Sequence, residues 1–178
     1  MGSAVLGAGP RKNSPSLVTT ETVPLSDLRN LASKRQLYAI LDACDAPGVP
    51  QKARELGEEN AVSLYRGEAE EDFWAIAPYL ISVDSSVLDW IASTLWEQPW
   101  GIFVVAEVNF ETLRTHFRKF LTVSLPDGEK VYFRFYDPRV IQQFLPTCNQ
   151  AELAEFFGSV QKFGCGLAGQ EGVVFFRM

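Results

Sequence analysis

A single histidine, His116, is all the sequence offers to a Ser-His-Asp or Cys-His arrangement, or to a metal site containing an imidazole. Its three cysteines, Cys44, Cys148 and Cys165, are widely spaced and include no C-x-x-C pair, which excludes a disulfide framework and a thiolate metal cage. Reduced, buried and inert thiols are expected instead. No basic run is longer than Arg11-Lys12, Lys34-Arg35 or Arg118-Lys119, and the net charge is −6. Neither nucleic acid nor an anionic membrane surface is expected as a partner, since both are recognised through clustered cations. No apolar run approaches the roughly 20 residues of a membrane span. The N-terminus lacks the charged-then-apolar order of a secretory signal. The Gly164-Cys-Gly-Leu-Ala-Gly169 stretch resembles a phosphate-cradling loop, but no helix pattern follows it, so nucleotide binding is not expected. From these absences a soluble, intracellular protein is expected, without cofactor or metal and not an enzyme.

What the 178 residues do contain is aromatic side chains, with thirteen Phe, four Trp and five Tyr. Such residues dominate both cores and interfaces, and composition does not separate the two uses. Residues 1–23 are rich in Gly, Ser, Pro and Thr and read as a flexible arm; residues 24–178 read as one domain. Within it, 24–121 form an α/β part and 122–178 a hairpin and helical part.

In the α/β part, the continuous apolar run from Leu37 to Cys44 reads as a strand covered on both faces, and Ala61 to Tyr65, Tyr79 to Val83 and Gly101 to Ala106 read as further strands. Helical patterns alternate with them, closing on Leu88, Ile91, Ala92 and Leu95 and then on Phe110, Leu113, Phe117 and Phe120. Four alternations predict a mixed, largely parallel sheet flanked by helices. Thr122–Leu125 and Lys130–Tyr136, around Pro126-Asp-Gly, form the C-terminal β-hairpin. Asp137 is placed to cap the next helix, with Pro138 at its first position. Thr147 and Gln150 read as a capping box for another helix, which Gly158 stops, and Val173–Phe176 as a last strand.

The densest constellation is Val131-Tyr-Phe-Arg-Phe-Tyr-Asp-Pro-Arg139. On a strand, Val131, Phe133 and Phe135 face the core, while Arg134 lies between the phenol rings of Tyr132 and Tyr136. Together with Asp137 and Arg139 these residues form either an internal network that fixes the joint between hairpin and helix or a surface that recognises carboxylates. Trp90 falls almost opposite the apolar stripe of its helix, so it marks a partner surface unless another element covers it. Asp42 and Asp45 end the first long strand, where open α/β sheets place functional carboxylates. With His116 they define a rival reading as a small hydrolase or transferase. The acidic run Glu68, Glu70, Glu71 and Asp72 reads as a solvated surface.

Phe133-Arg-Phe-Tyr-Asp-Pro-Arg139 resembles the signature of the type VI secretion effector adaptors, a family catalogued as domain of unknown function 4123. Leu37-Tyr-Ala-Ile-Leu-Asp42 resembles that family's opening strand, Ala77-Pro-Tyr-Leu80 its "APYL" segment, and Leu113-Arg-Thr-His-Phe-Arg118 its "L-x-x-H-x-R" helix. The four segments follow in order between about residues 37 and 158. The resemblance implies a bacterial, cytoplasmic adaptor or chaperone that binds a cognate secreted effector and loads it onto a VgrG-type spike, without catalysis. It leaves open whether Arg134, Tyr136, Asp137, Pro138 and Arg139 serve the fold or touch a partner. An immunity or scaffolding protein is the remaining alternative.

Overall fold

Two strands of the sequence are buried at every position, Leu37–Asp42 and Gly101–Ala106. They lie side by side at the centre of the domain in a computed structural model, which describes residues 4–5, 16–125, 127–166, 169 and 172–178. In chain order the strands are β1 (Ala4–Val5), β2 (Thr19–Val23), β3 (Leu37–Asp42), β4 (Ala61–Ser63), β5 (Pro78–Ser82), β6 (Gly101–Ala106), β7 (Thr122–Ser124), β8 (Lys130–Tyr132), β9 (Val160–Gly166) and β10 (Val173–Arg177). The helices are α1 (Leu25–Ser33), α2 (Val49–Leu56), α3 (Glu68–Asp72), α4 (Ser85–Trp90), α5 (Phe110–Arg118), α6 (Pro138–Phe144) and α7 (Gln150–Phe157).

A seven-stranded sheet runs in the order β2-β10-β9-β6-β3-β5-β4, and β1, β7 and β8 form a small second sheet. The α/β class is as expected, but the largely parallel sheet is not: every neighbouring pair in the large sheet is antiparallel. The helical crossovers do connect strands of like direction, β3 to β4 and β5 to β6. Each such pair, however, has a strand of opposite direction between them, β5 in the first case and β3 in the second. Continuous apolarity reports that both faces are covered and says nothing about direction.

Two cores account for that double coverage. Leu37, Ala39, Leu41, Phe103 and Val105 meet α1, α2 and α4 on one face. Tyr38, Ile40, Ile102 and Val104 meet α5, α6 and α7 on the other. Gly101 is required where β6 crosses β3: its φ is +142°, and a Cβ there would overlap the carbonyl oxygen of Ile40.

Several local expectations shift. Thr19–Val23, within the segment read as an arm, pairs with β10 as the sheet's edge. Val160–Gly166, not anticipated as a strand, lies between β10 and β6. Its glycines answer to packing, since a Cβ on Gly164 would come within 2.5 Å of the Phe175 ring. Leu167 and Ala168 of the same glycine-rich stretch lie outside the described residues, as does Pro126 of the hairpin turn. Asp84 caps α4, accepting from the Val87 N–H. The capping box before α7 is Asn149 with Glu152, two residues beyond Thr147 and Gln150. The Gly158 stop and the Asp137 cap stand as expected, and Gly57 and Asn109 do the same for α2 and α5. No helix among the described residues is long and apolar enough to cross a membrane.

Candidate functional site

Asp42 ends β3, and the chain turns sharply there because the carboxylate holds it: Oδ1 accepts the Cys44 N–H at 3.0 Å. The Asp42 carbonyl accepts the Ala46 N–H at 2.9 Å. This turn sets Asp45 beside Asp42. From the far end of the sequence the Arg134 guanidinium reaches both, donating through Nη2 to Asp42 Oδ2 and, at 3.2 Å, to Asp45 Oδ2. Arg139 donates to the same Asp45 oxygen at 3.1 Å. It also grips Asp137 in a fork, Nε to Oδ1 at 2.9 Å and Nη2 to Oδ2 at 2.6 Å. Asp137 Oδ1 meanwhile accepts the Arg139 backbone N–H at 2.8 Å and so caps α6, with Pro138 at the first turn where its missing N–H is not needed. Three carboxylates and two guanidiniums thus make one chain, Asp42–Arg134–Asp45–Arg139–Asp137.

The chain grades from dry to wet. The Asp42 and Asp137 side chains are 1% and 6% exposed, Arg134 37% and Arg139 60%. Burial pushes the Asp42 carboxyl above its usual range, against the pull of Arg134 and the Cys44 N–H. Burial acts on Asp137 too, but the bonds from Arg139 overcome it and hold that carboxyl low. Arg134 is taken the other way: its desolvation is more than offset by Asp42, and its pKa rises.

Strand geometry does not extend through the signature as expected. β8 ends at Tyr132, and residues 133–137 form a turn closed by the Asp137 N–H on the Arg134 carbonyl at 3.0 Å. Alternation therefore fails, and Phe135 and Tyr136 are both buried. Arg134 is not held between phenol rings; the rings make their own contact, Tyr132 Oη to Tyr136 Oη at 3.2 Å, while the guanidinium pairs with aspartates. The side chains of this constellation bond to one another, while Arg134 and Arg139 keep part of their surface exposed.

His116 lies elsewhere. Its Nε2 bonds the Phe156 carbonyl at 2.8 Å, in a cleft shared with Glu111, Lys119, Gly158 and Ser159. Burial keeps its pKa below the usual value. Asp42 and Asp45 do not line that cleft, so His116 is not grouped with either of them there. Cys148 and Cys165 are buried and burial pushes each thiol up to about 12; Cys44, expected to be buried, is exposed. Among the described residues no His, Cys, Asp or Glu cluster is arranged to hold a metal ion. Trp90 is half covered, by α2, whose Lys52 Nζ sits 5.6 Å from the ring centroid.

Two features escaped the sequence reading. Arg118 ends α5 and donates to three backbone carbonyls, Leu64 at 3.1 Å and Ser63 and Tyr65 at 2.9 Å each. It ties the helix to the end of β4; only its place in the "L-x-x-H-x-R" segment hinted at a role. Arg118→Ala is expected to lower stability by about 2 kcal/mol, because a charged donor to several carbonyls is lost at once. Urea denaturation measures this, and an unchanged midpoint would mean that water replaces the guanidinium. The second feature is exposed Phe73, Trp74 and Ile76, at 51%, 43% and 48%. Four residues are too few for a periodic pattern to separate a solvent-facing cluster from a core helix.

The family model described as "Domain of unknown function (DUF4123)" matches residues 37–155. That span opens on β3, closes within α7 and holds Asp42, Asp45, His116, Arg118 and the whole Arg134–Arg139 segment. No curated protein and no solved structure matches the chain.

Proposed function

Because the chain belongs to the DUF4123 family, we propose that it is an adaptor that binds a cognate type VI secretion effector and loads it onto the VgrG-type spike, in the cytoplasm of the producing bacterium. One observation carries this reading. The segments that resemble the effector adaptors meet in space: Asp42 of the opening strand and Arg134 of the signature, 92 positions apart, form an ion pair whose carboxylate is buried. The resemblance is therefore one of a folded unit and not of short strings. An adaptor type that serves different effectors needs a common scaffold and separate contact surfaces. Here the shared charged residues are turned on one another, His116 on the Phe156 carbonyl and Arg118 on the end of β4. That arrangement supports a scaffold role for the motif, with partner choice left to other surface.

Co-expression with the products of neighbouring genes, followed by size-exclusion chromatography, tests the proposal. The expected result is a stable complex with a secreted effector and a separate association with a VgrG-type spike protein. Elution of the chain alone in both cases overturns it.

A further inference from the structure

Residues 71–76 are exposed without interruption, although Phe73, Trp74 and Ile76 are among them. Large apolar side chains gathered on a surface mark contact sites when they are held in place, and these are. The Phe73 N–H bonds the Ala69 carbonyl at 3.1 Å and the Ile76 N–H bonds the Phe73 carbonyl at 3.0 Å. Tyr79, from β5, donates its hydroxyl to the Trp74 carbonyl at 2.9 Å. The Arg54 guanidinium of α2 stacks 4.3 Å from the Trp74 ring centroid. Immediately downstream, Ala77 is fully buried and Pro78 opens β5, which anchors the segment to the sheet. The apolar cluster is thus presented from a fixed backbone, and binding to it loses little ordering entropy.

The residues that lead into the cluster are acidic, with Arg54 over the Trp74 ring as a cation beside them. Glu68, Glu70, Glu71 and Asp72 precede Phe73, and none of the four takes part in an ion pair among the described residues. Three of these carboxylates, Glu68, Glu71 and Asp72, are exposed, and beside an aromatic anchor they complement a partner with an apolar side chain flanked by Lys or Arg. We propose that Phe73, Trp74 and Ile76, rimmed by Glu68, Glu71 and Asp72, form the docking surface for a basic amphipathic segment of a protein partner. The inference deepens the adaptor reading and rests on it for the partner's identity, an effector or spike protein. The surface itself is defined by chemistry alone. Apolar contact with Trp74 sets the lifetime of the complex, and the carboxylates speed encounter and reject acidic segments.

Two arms keep the tests of surface and adaptor apart. The first uses the purified full chain and a synthetic amphipathic helix of Leu and Lys, with its Leu/Glu counterpart as control, followed by fluorescence anisotropy. The Leu/Lys peptide is expected to bind and the Leu/Glu peptide not. Trp74→Ala should weaken binding about 30-fold. Reversing Glu71 and Asp72 to Lys should slow association about tenfold and remove most of its salt dependence. Both variants replace exposed residues and should melt within a few degrees of the parent. The second arm repeats the titration with the co-expressed effector and spike proteins. Equal binding of both peptides, or of parent and variants in either arm, overturns the docking surface while leaving the adaptor reading standing. A parent that binds the Leu/Lys peptide through this patch but neither protein overturns the adaptor reading alone. Self-association that Trp74→Ala abolishes overturns the proposal in favour of contact between copies of the chain.

Discussion

Arg134→Ala is expected to destabilise the protein by about 3 kcal/mol at neutral pH, lowering its melting temperature by roughly 6–12 °C. The argument turns on what the substitution leaves behind. Asp42 is 1% exposed and loses the guanidinium that answers its charge, and Asp45 loses one of its two cationic neighbours. Stranding a buried carboxylate costs far more than removing an exposed pair. The effect falls short of a fully buried pair because the Arg134 side chain is itself 37% exposed and water screens it. Arg134→Lys should recover only part of the loss, since one ammonium does not span both carboxylates as the planar fork does. Adding Asp42→Asn to Arg134→Ala should restore stability, because the neutral amide keeps a hydrogen-bonding group without the charge.

The deficit should also depend on pH in a set direction. Burial already lifts the Asp42 carboxyl above its usual value, and loss of Arg134 lifts it further. A carboxyl whose pKa is raised in the folded state favours folding below its unfolded pKa, about 3.9. That contribution is lost as pH climbs through the folded value. The gap between parent and Arg134→Ala is therefore widest at neutral pH and narrows as the solution is acidified toward the unfolded value. Equal gaps in urea titrations at neutral and at acidic pH would show that Asp42 is not the stranded group.

Phe135→Ala should cost more, about 4 kcal/mol, which threatens folding altogether. Phe135 is fully buried and its ring meets five others: Phe117 at 5.7 Å between centroids, Phe120 at 6.4 Å, Phe133 at 6.1 Å, Tyr136 at 5.5 Å and Phe156 at 5.8 Å. These rings come from α5 and the residues just after it, the turn after β8, and α7, so one side chain joins three segments of the same core. Truncation leaves a cavity that rigid aromatic neighbours do not close. Phe135→Leu, which keeps much of the volume, should be milder. Calorimetry or denaturant unfolding of the two variants decides the matter. A Phe135→Ala protein as stable as its parent would contradict the placement of this residue at the centre of the core.

The local grammar of the chain was largely open to reading. Asp137 announces a cap, Gly158 announces a stop, and the apolar run of β3 announces a strand buried on both faces. Strand direction was not legible, because alternating strands and helices fit interleaved antiparallel neighbours as well as parallel ones. The candidate site was legible only in pieces. Asp42 and Asp45 stand out as strand-end carboxylates and Arg134 and Arg139 as members of a dense motif, but a single sequence carries no sign that they meet across 92 positions. Period-two reasoning misplaced Tyr136 because the strand ends at Tyr132, before the motif's turn. Helical-wheel geometry likewise drew attention to Trp90, which α2 half covers, and passed over Trp74, whose exposed run is too short for a period to show.

Loading is the most direct test of the adaptor account. Purified spike protein, immobilised, is incubated with the effector in the presence and absence of this chain, and the retained effector is quantified. The account predicts that effector is retained on the spike only when the chain is present, in an amount that rises with the chain and saturates. Retention that is the same with and without the chain would contradict it.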